Sequence, residues 1–210
     1  MAAASQAIAD ELAPRATILH PGVDLDRFAP APPPDGPRRA LVLGALVPWK
    51  RADLALEVAA RIPALQLELA GAPLGDGAFA RALETRAARP DLAGRVTFLG
   101  ALDDPRPALA RAHCLLHCAD AEPWGLALVE ALASGRPVVA ADDGGPREIV
   151  ADGAGRLFPP GDAAAATAAL QAVLGHPDVA AARRRAERFP VEASAARFAA
   201  ALERVTGAAA

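Results

Sequence analysis

The chain contains 210 residues, of which 53% are hydrophobic and 22% are charged, so it has enough apolar material for the core of one large domain. Its formal charge of −3 argues against a dedicated nucleic-acid-binding protein, which would normally carry a basic excess. The apolar runs are shorter than the roughly 18 residues that a transmembrane segment needs, and the first residues lack the pattern of a secretory signal.

The first 38 residues differ in composition from the rest of the chain. A short helix is predicted over Ser5–Leu12, and a turn is predicted at Pro21–Asp24. Residues 29–37 contain five prolines, which favours an extended and semi-rigid linker. We therefore place a domain boundary in this linker, with residues 1–38 on one side of it.

From Arg39 onward, short apolar runs alternate with helical patterns. The predicted strands are residues 40–44, 65–70, 96–99, 114–117, 137–140 and 156–158. The helices predicted between them are residues 52–62, 78–88, 105–112, 126–134 and 146–150. This alternation predicts an α/β fold, with a Rossmann-like parallel sheet flanked by helices, over residues 39–175.

The end of the chain is predicted to be helical, over residues 163–174, 179–188 and 191–205. Residues 176–210 are treated as a separate group of C-terminal helices. We interpret Arg183-Arg184-Arg185, with Arg188, as a solvated helix face. A patch that faces a lipid or an acceptor is the alternative.

Both cysteines fall at the fourth predicted strand, in His113-Cys114-Leu115-Leu116-His117-Cys118. On a strand, Cys114 and Cys118 would stand ~13 Å apart, which is too far for a disulfide or for one metal ion. His113 and His117 have the same separation on the opposite face. We therefore expect no metal site, and free thiols suit the reducing cytoplasm.

The loop after the first predicted strand contains the only lysine of the chain, Lys50, beside Arg51. Both cations stand at a predicted helix start, where the helix dipole disfavours positive charge. An anion would explain this placement, because a lysine and the N–H groups of a helix start together form a phosphate site. Gly44 permits a tight exit from the strand. The alternative is an ordinary basic loop.

The loop after the fourth predicted strand leads into a helix with two acids, Glu122 and Glu130. Gly125 lets a ligand approach the backbone amides at the helix start. Glu130 falls among apolar residues, where an unpaired carboxylate is costly, so it suits the two hydroxyls of a ribose. Glu122 is then nearer to the outer end of the same ligand. The alternative places Glu122 as a helix-start acid and Glu130 on a solvated edge.

Two further loops, residues 71–77 and 142–146, are rich in glycine. In a parallel α/β sheet, ligands bind beyond the carboxyl ends of the strands, where all of these loops meet. One lysine, two acids and several glycine-rich loops at that edge favour a nucleotide sugar over a bare phosphate.

Together these residues resemble the C-terminal, donor-binding domain of a GT-B glycosyltransferase, most nearly of glycosyltransferase family four (glycosyl transferases group 1). The Glu-x7-Glu pattern of that family maps onto Glu122 and Glu130. The segments 122–140, 144–150 and 155–162 also follow the family closely. The resemblance covers about residues 17–175, and its combined motifs are highly specific.

The resemblance implies a retaining hexosyltransferase that uses a UDP- or GDP-sugar, with GDP-mannose among the candidates, and a glycan, lipid or small-molecule acceptor. It implies that Lys50 binds the diphosphate, that Glu122 contacts the donor sugar near the reacting carbon, and that Glu130 holds the ribose. Lys50 and Glu122 are the expected catalytic residues. The other expected donor-binding residues are Gly44, Arg51, Trp124, Gly125 and Leu126.

No metal or other cofactor is implied, because protein cations would neutralise the leaving diphosphate. The expected location is the cytoplasm, with the inner face of the membrane as a peripheral site. In the first loop, Ala45 stands where the family usually has an arginine, and Arg51 is expected to compensate.

By this resemblance, residues 1–38 correspond to the end of the N-terminal GT-B domain together with the proline-rich interdomain linker. The expected partner is therefore a separate N-terminal GT-B domain or a second copy of this chain. The alternative function is a non-catalytic nucleotide-sugar-binding module or an inactive truncated fragment.

Overall fold

The computed structural model of the protein describes residues 2–12, 16–151 and 153–207. Two short strands, β1 (Ala2–Ala3) and β2 (Thr17–Ile18), pair in parallel near the start of the chain. The other six strands form the main sheet: β3 (Arg39–Leu43), β4 (Gln66–Ala70), β5 (Val96–Gly100), β6 (Cys114–His117), β7 (Val138–Ala141) and β8 (Gly155–Phe158). These six confirm the predicted strands to within one residue, whereas the β1–β2 pair is not among the predicted elements.

The described residues form nine α-helices and a 3-10 turn at Pro48–Lys50. The helices are α1 (Gln6–Leu12), α2 (Ala52–Ala60), α3 (Ala78–Ala87), α4 (Arg106–Arg111), α5 (Leu126–Ala133), α6 (Pro146–Ile149), α7 (Ala163–Gly175), α8 (Val179–Ala186) and α9 (Val191–Thr206). Over the described ranges, no helix combines the length and the apolar character needed to cross a bilayer.

The strand order of the main sheet is β5-β4-β3-β6-β7-β8, and every pair is parallel. The chain builds outward from β3 in one direction, then returns to the other side of β3 at β6. The loops that follow β3 and β6 therefore diverge and leave a crevice at the carboxyl edge of the sheet. This is the predicted Rossmann-like α/β fold.

The core lies on both faces of the sheet because successive strand residues point to opposite sides. Leu115 packs with α4, α5 and α8, whereas its neighbours Cys114 and Leu116 pack with α2 and α7 on the other face. Every residue of β6 and β7 is buried, which explains why both strands are apolar in sequence, apart from His117 at the end of β6.

One buried arginine, Arg136, joins the proline-rich linker to the sheet domain by hydrogen bonds. The guanidinium of Arg136 donates hydrogen bonds to the carbonyl oxygens of Ala31 and Pro32, at 3.0 and 2.9 Å. It also donates to the carbonyls of Leu109 and Ala110 at the end of α4. Burial lowers the pKa of Arg136, because it removes the charged guanidinium from water.

The interpretation of 183–185 as a solvated face is wrong for two of the three arginines. Arg183 donates to the carbonyl oxygens of Leu25, Phe28 and Ala133, at 3.0 to 3.1 Å. Arg185 donates to the carbonyl of Ile149 at 2.7 Å. Because α8 buries its alanines against α5, the long arginine side chains reach the carbonyls around it.

Candidate functional site

A cavity of about 590 Å³ lies at the carboxyl edge of the sheet, where β3 and β6 lie side by side. Its walls come from the loops after β3, β4, β5 and β6 and from the start of α5. Seven of the eight predicted site residues line it: Gly44, Lys50, Glu122, Trp124, Gly125, Leu126 and Glu130. Loops that are far apart in sequence therefore meet at the switch point of the sheet, where open α/β sheets bind ligands.

The polar centre of the cavity is formed by Lys50, Glu122 and His117. Lys50 Nζ lies 2.5 Å from Glu122 Oε2, and His117 Nε2 lies 3.0 Å from the same oxygen. Since an ionised carboxylate can only accept, His117 Nε2 must carry the proton in this contact. Among the described residues, the other oxygen, Oε1, receives one long hydrogen bond of 3.5 Å, from the backbone N–H of Trp124, so it can accept a further hydrogen bond.

Glu122 is buried, yet it remains ionised. Burial by itself raises the pKa of its carboxyl, but the hydrogen bonds from His117 and Lys50 outweigh burial and lower the pKa from 4.5 to about 2. The site therefore holds a fixed negative charge beside a lysine at all ordinary pH values.

Two consecutive glycines hold the Glu122 loop in place. Gly144 and Gly145 follow β7, and the N–H of Gly145 donates to the carbonyl of Glu122 at 2.8 Å. A Cβ on Gly144 would lie 2.2 Å from that carbonyl oxygen, and a Cβ on Gly145 would lie 2.4 Å from Trp124 Cα. The predicted glycine-rich loop is thus a packing surface for the backbone that carries Glu122.

Helix α5 starts at the cavity. Gly125, with φ of 105°, precedes it, and no side chain caps its first turn. The first N–H groups of a helix carry partial positive charge, so this end of α5 favours an anion. The indole of Trp124 is buried behind the helix start, where it donates to the carbonyl of Pro21 at 3.0 Å and stacks on His20 at 4.4 Å.

Glu130 lies in α5 and points into the same cavity, eight residues after Glu122. Burial raises the pKa of its carboxyl, and the charge of Arg27 opposes this only in part. Across the described residues, no donor lies within hydrogen-bond distance of this carboxylate. A partly buried acid without a partner is costly, and hydroxyl donors from a ligand would remove that cost.

Three successive residues of the loop after β3 contact the loop after β6. The N–H of Asp120 donates to the carbonyl of Trp49 at 2.8 Å, Lys50 pairs with Glu122, and Arg51 pairs with Asp120 at 3.3 Å. The Lys50 ammonium also lies over the Trp49 ring, 4.1 Å from its centre. These contacts fix the direction of the lysine side chain.

Arg51 is the one predicted site residue that the structure does not bring into the cavity. Its backbone is left-handed, with φ of 52°, which turns the side chain away from the cavity toward Asp53 and Asp120. The hydrogen bond to Asp53, ahead of the opposing effect of burial, raises the pKa of Arg51. Arg51 therefore does not fill the place of the arginine that Ala45 replaces.

Sequence reasoning overlooked His117, which it considered only as a metal ligand. The side chain is buried at the carboxyl end of β6, directly against Glu122. Its position as the last residue of a central strand, five residues before a predicted site acid, is the signal that could have identified it. No group of three or more metal-ligating side chains occurs within the described segments.

Comparison with known proteins gives a consistent family. A family model described as Glycosyl transferases group 1 matches residues 25–188. The D-inositol 3-phosphate glycosyltransferase of Geodermatophilus obscurus is 37% identical over 201 aligned positions, which include 85% of this chain and 45% of that protein. The phosphatidyl-myo-inositol mannosyltransferase of Mycolicibacterium smegmatis is 37% identical over 166 positions, with 73% and 41% coverage. The chain thus spans less than half the length of these relatives.

Solved structures share the fold. HepE of Anabaena in complex with UDP and glucose matches with a TM-score of 0.88 at 24% identity, over 96% of this chain and 62% of that one. Sucrose-phosphate synthase from Thermosynechococcus elongatus matches with a TM-score of 0.86 at 26% identity, over 97% and 57%. In both, the present chain corresponds to part of a longer protein.

Proposed function

Because the chain belongs to the glycosyl transferases group 1 family, we propose that its cavity binds a UDP- or GDP-sugar and that the chain is the donor-binding half of a retaining hexosyltransferase. The observation that carries the proposal is the convergence of Lys50, Glu122 and Glu130 on one cavity at the switch point of the sheet.

The diphosphate lies between Lys50 and the start of α5 in this proposal. Lys50 supplies a point charge, and the first N–H groups of the helix supply partial charges directed at the same place. In the free protein Lys50 is neutralised by Glu122. An arriving diphosphate competes with Glu122 for that lysine. When Lys50 turns toward the ligand, the Glu122 carboxylate still accepts a hydrogen bond from His117.

The ribose is assigned to Glu130. Its carboxylate accepts hydrogen bonds from both hydroxyls, which supplies the partners that it lacks in the free protein. Glu122 is assigned to the sugar, because its Oε1 can accept a further hydrogen bond while Oε2 is held by Lys50 and His117.

In the transfer step, the bond between the anomeric carbon and the diphosphate oxygen breaks, and a bond from the same face to an acceptor hydroxyl forms. The acceptor proton leaves to the departing diphosphate, and Lys50 with the α5 N-terminus stabilises the charge that develops on it. The chain needs no metal in this scheme. The proposed acceptor is a glycan, a lipid or a small molecule. The names of the relatives, which refer to inositol 3-phosphate and to phosphatidyl-myo-inositol, favour the last two classes.

The two buried free thiols, Cys114 and Cys118, support a reducing compartment such as the cytoplasm as the place of this activity. The partner proposed for transfer is a separate N-terminal GT-B domain or a second copy of this chain, either of which would supply the facing wall of the cleft.

Calorimetry with UDP and GDP, and with UMP and GMP as controls, tests the proposal. We expect diphosphates to bind with a Kd between about 1 µM and 1 mM, and more tightly than monophosphates. Lys50→Met should abolish that preference. Equal binding of mono- and diphosphates by the unaltered protein would remove the phosphate role from Lys50.

A radiolabelled-donor assay with the same protein, with and without a co-expressed N-terminal domain, separates the transferase from a pure binding module. Sugar transfer in the presence of the partner supports the transferase. Tight donor binding with no transfer under either condition supports the non-catalytic module.

A further inference from the structure

A second cavity, of about 460 Å³, lies between α6, the end of α8 and α9, outside the candidate functional site. Four arginines line it, together with two rings, and we call it the arginine cavity: Arg147, Arg185, Arg188, Arg197, His20 and Phe189. One acidic residue, Glu148, also lines it. The chain as a whole carries a net charge of −3, so this local excess of positive charge is not a consequence of composition.

Glu148, the acidic residue that lines this cavity, already has hydrogen-bond partners. One oxygen of the Glu148 carboxylate contacts His20 Nε2 at 3.0 Å, and the other accepts from the backbone N–H of Gln6 at 2.7 Å. Arg147 is paired with Asp142 at 2.9 Å, on the rim. Each oxygen of the Glu148 carboxylate thus already has one partner, and the four arginines that line the cavity outnumber this one acid.

Two of the arginines have no such partner. Within the residues that the structure describes, neither the Arg188 nor the Arg197 side chain makes a hydrogen bond or an ion pair, and both line the cavity from different elements. The hydroxyl of Ser194 donates to the carbonyl of His20 at 2.7 Å, which holds α9, and Arg197 with it, at the cavity wall. Both side chains are exposed, so solvent screens their charges, and both are available to an anion that enters the cavity.

We propose that the arginine cavity binds the phosphate group of a phosphorylated organic molecule. Planar guanidinium groups match the oxygens of phosphate by paired hydrogen bonds, which makes arginine a common phosphate ligand. The volume exceeds the need of inorganic phosphate, so the remainder of the ligand also has room. A soluble phosphomonoester and the headgroup of an anionic lipid present the same chemistry here.

The arginine cavity is connected to the donor cavity by a pair of rings. His20 lines the first and Trp124 lines the second, and the two rings stack at 4.4 Å with an interplanar angle of 13°. The proposed phosphate site is therefore next to the donor site but built from different residues, so each site can be removed without touching the other.

Calorimetry with glycerol 3-phosphate tests the soluble source, and sedimentation with vesicles of phosphatidic acid in phosphatidylcholine tests the lipid source. The variant is Arg188→Gln with Arg197→Gln. The matched control is Arg184→Gln with Arg204→Gln, which removes the same charge from exposed positions on α8 and α9 that do not line the cavity. Lys50→Met reports on binding at the donor cavity.

We expect the protein to bind at least one probe, and we expect R188Q/R197Q to weaken that binding by about tenfold or more, because charge-assisted hydrogen bonds are lost. The control and K50M should change it by less than about twofold, since none of Lys50, Arg184 and Arg204 lines the arginine cavity. The proposal is overturned if neither probe binds, if R188Q/R197Q binds like the unaltered protein, if the control loses as much, or if K50M abolishes the binding.

Discussion

Lys50 Nζ lies 2.5 Å from Oε2 of Glu122, so the only lysine of the chain neutralises a buried acid that is 72 positions away in sequence. The two residues follow β3 and β6, the strands on either side of the switch point, and their contact links the two loops at the wall of the cavity. The same contact links the stability of the fold to the chemistry of the cavity.

The first prediction concerns this pair. Lys50→Met should lower the free energy of unfolding by about 2 kcal/mol, because Glu122 loses its closest charge-assisted hydrogen bond. Glu122→Gln in the same protein should recover part of that loss. Urea unfolding of the two single variants and the double variant measures the coupling. Additive losses would mean that the pair contributes nothing beyond its separate members.

The second prediction is a pH dependence set by Glu122. The folded-state pKa of its carboxyl, about 2, is below the ordinary value of 4.5, so the ionised form stabilises the fold. That contribution, about 3 kcal/mol, is complete above pH 4.5 and is lost as the pH falls toward 2. Urea unfolding between pH 7 and pH 3 should show it, and Glu122→Gln should flatten the curve. An unchanged slope in that variant would assign the acid sensitivity to other groups.

The third prediction concerns Glu130, for which the sign is opposite. Burial raises the pKa of this carboxyl in the folded protein, so its ionised form destabilises the fold above the ordinary pKa. Glu130→Gln should therefore raise the free energy of unfolding at pH 7.

The same variant should weaken UDP or GDP binding by about tenfold, whereas Glu122→Ala should leave nucleotide binding nearly unchanged. If Glu130→Gln and Glu122→Ala lowered the affinity for UDP or GDP equally, the placement of Glu122 at the sugar would be contradicted.

The fourth prediction concerns Arg136. Arg136→Met should lower the free energy of unfolding by about 3 kcal/mol or more, because the carbonyls at Ala31, Pro32 and the end of α4 lose their donor inside the protein. Arg184→Met, at an exposed arginine, is the control and should change stability by less than about 0.5 kcal/mol. Similar urea midpoints for both variants would show that the linker does not depend on this contact.

The fifth prediction compares two glycines. Gly145→Ala should destabilise the protein by about 2 kcal/mol, since its Cβ would overlap the Trp124 backbone. Gly175→Ala should be neutral or stabilise by up to about 1 kcal/mol, because that Cβ would meet open space at the end of α7. Thermal unfolding of the two variants measures the difference, and the reverse order would exclude the close approach at Gly145.

The sequence predicted β6 and β7 well because both strands are buried on both faces and, apart from His117, consist of apolar residues. It also predicted that Lys50, Glu122 and Glu130 would meet, since parallel strands bring their following loops to one edge. It could not predict the direction of Arg51, which depends on one left-handed residue and on Asp120, 69 positions away. Arg183 and Arg185 were misassigned for a related reason: the carbonyls that bind them come from other parts of the chain.

Three consecutive residues, Trp49, Lys50 and Arg51, each contact the loop after β6. All three contacts depend on the number of residues between β3 and α2 as well as on their identity. Inserting or deleting one residue in the segment 44–48 would shift Trp49, Lys50 and Arg51 together, and the lysine would no longer reach Glu122. This loop should therefore accept conservative substitutions at several positions while its length stays invariant, which is a constraint to respect when the protein is redesigned.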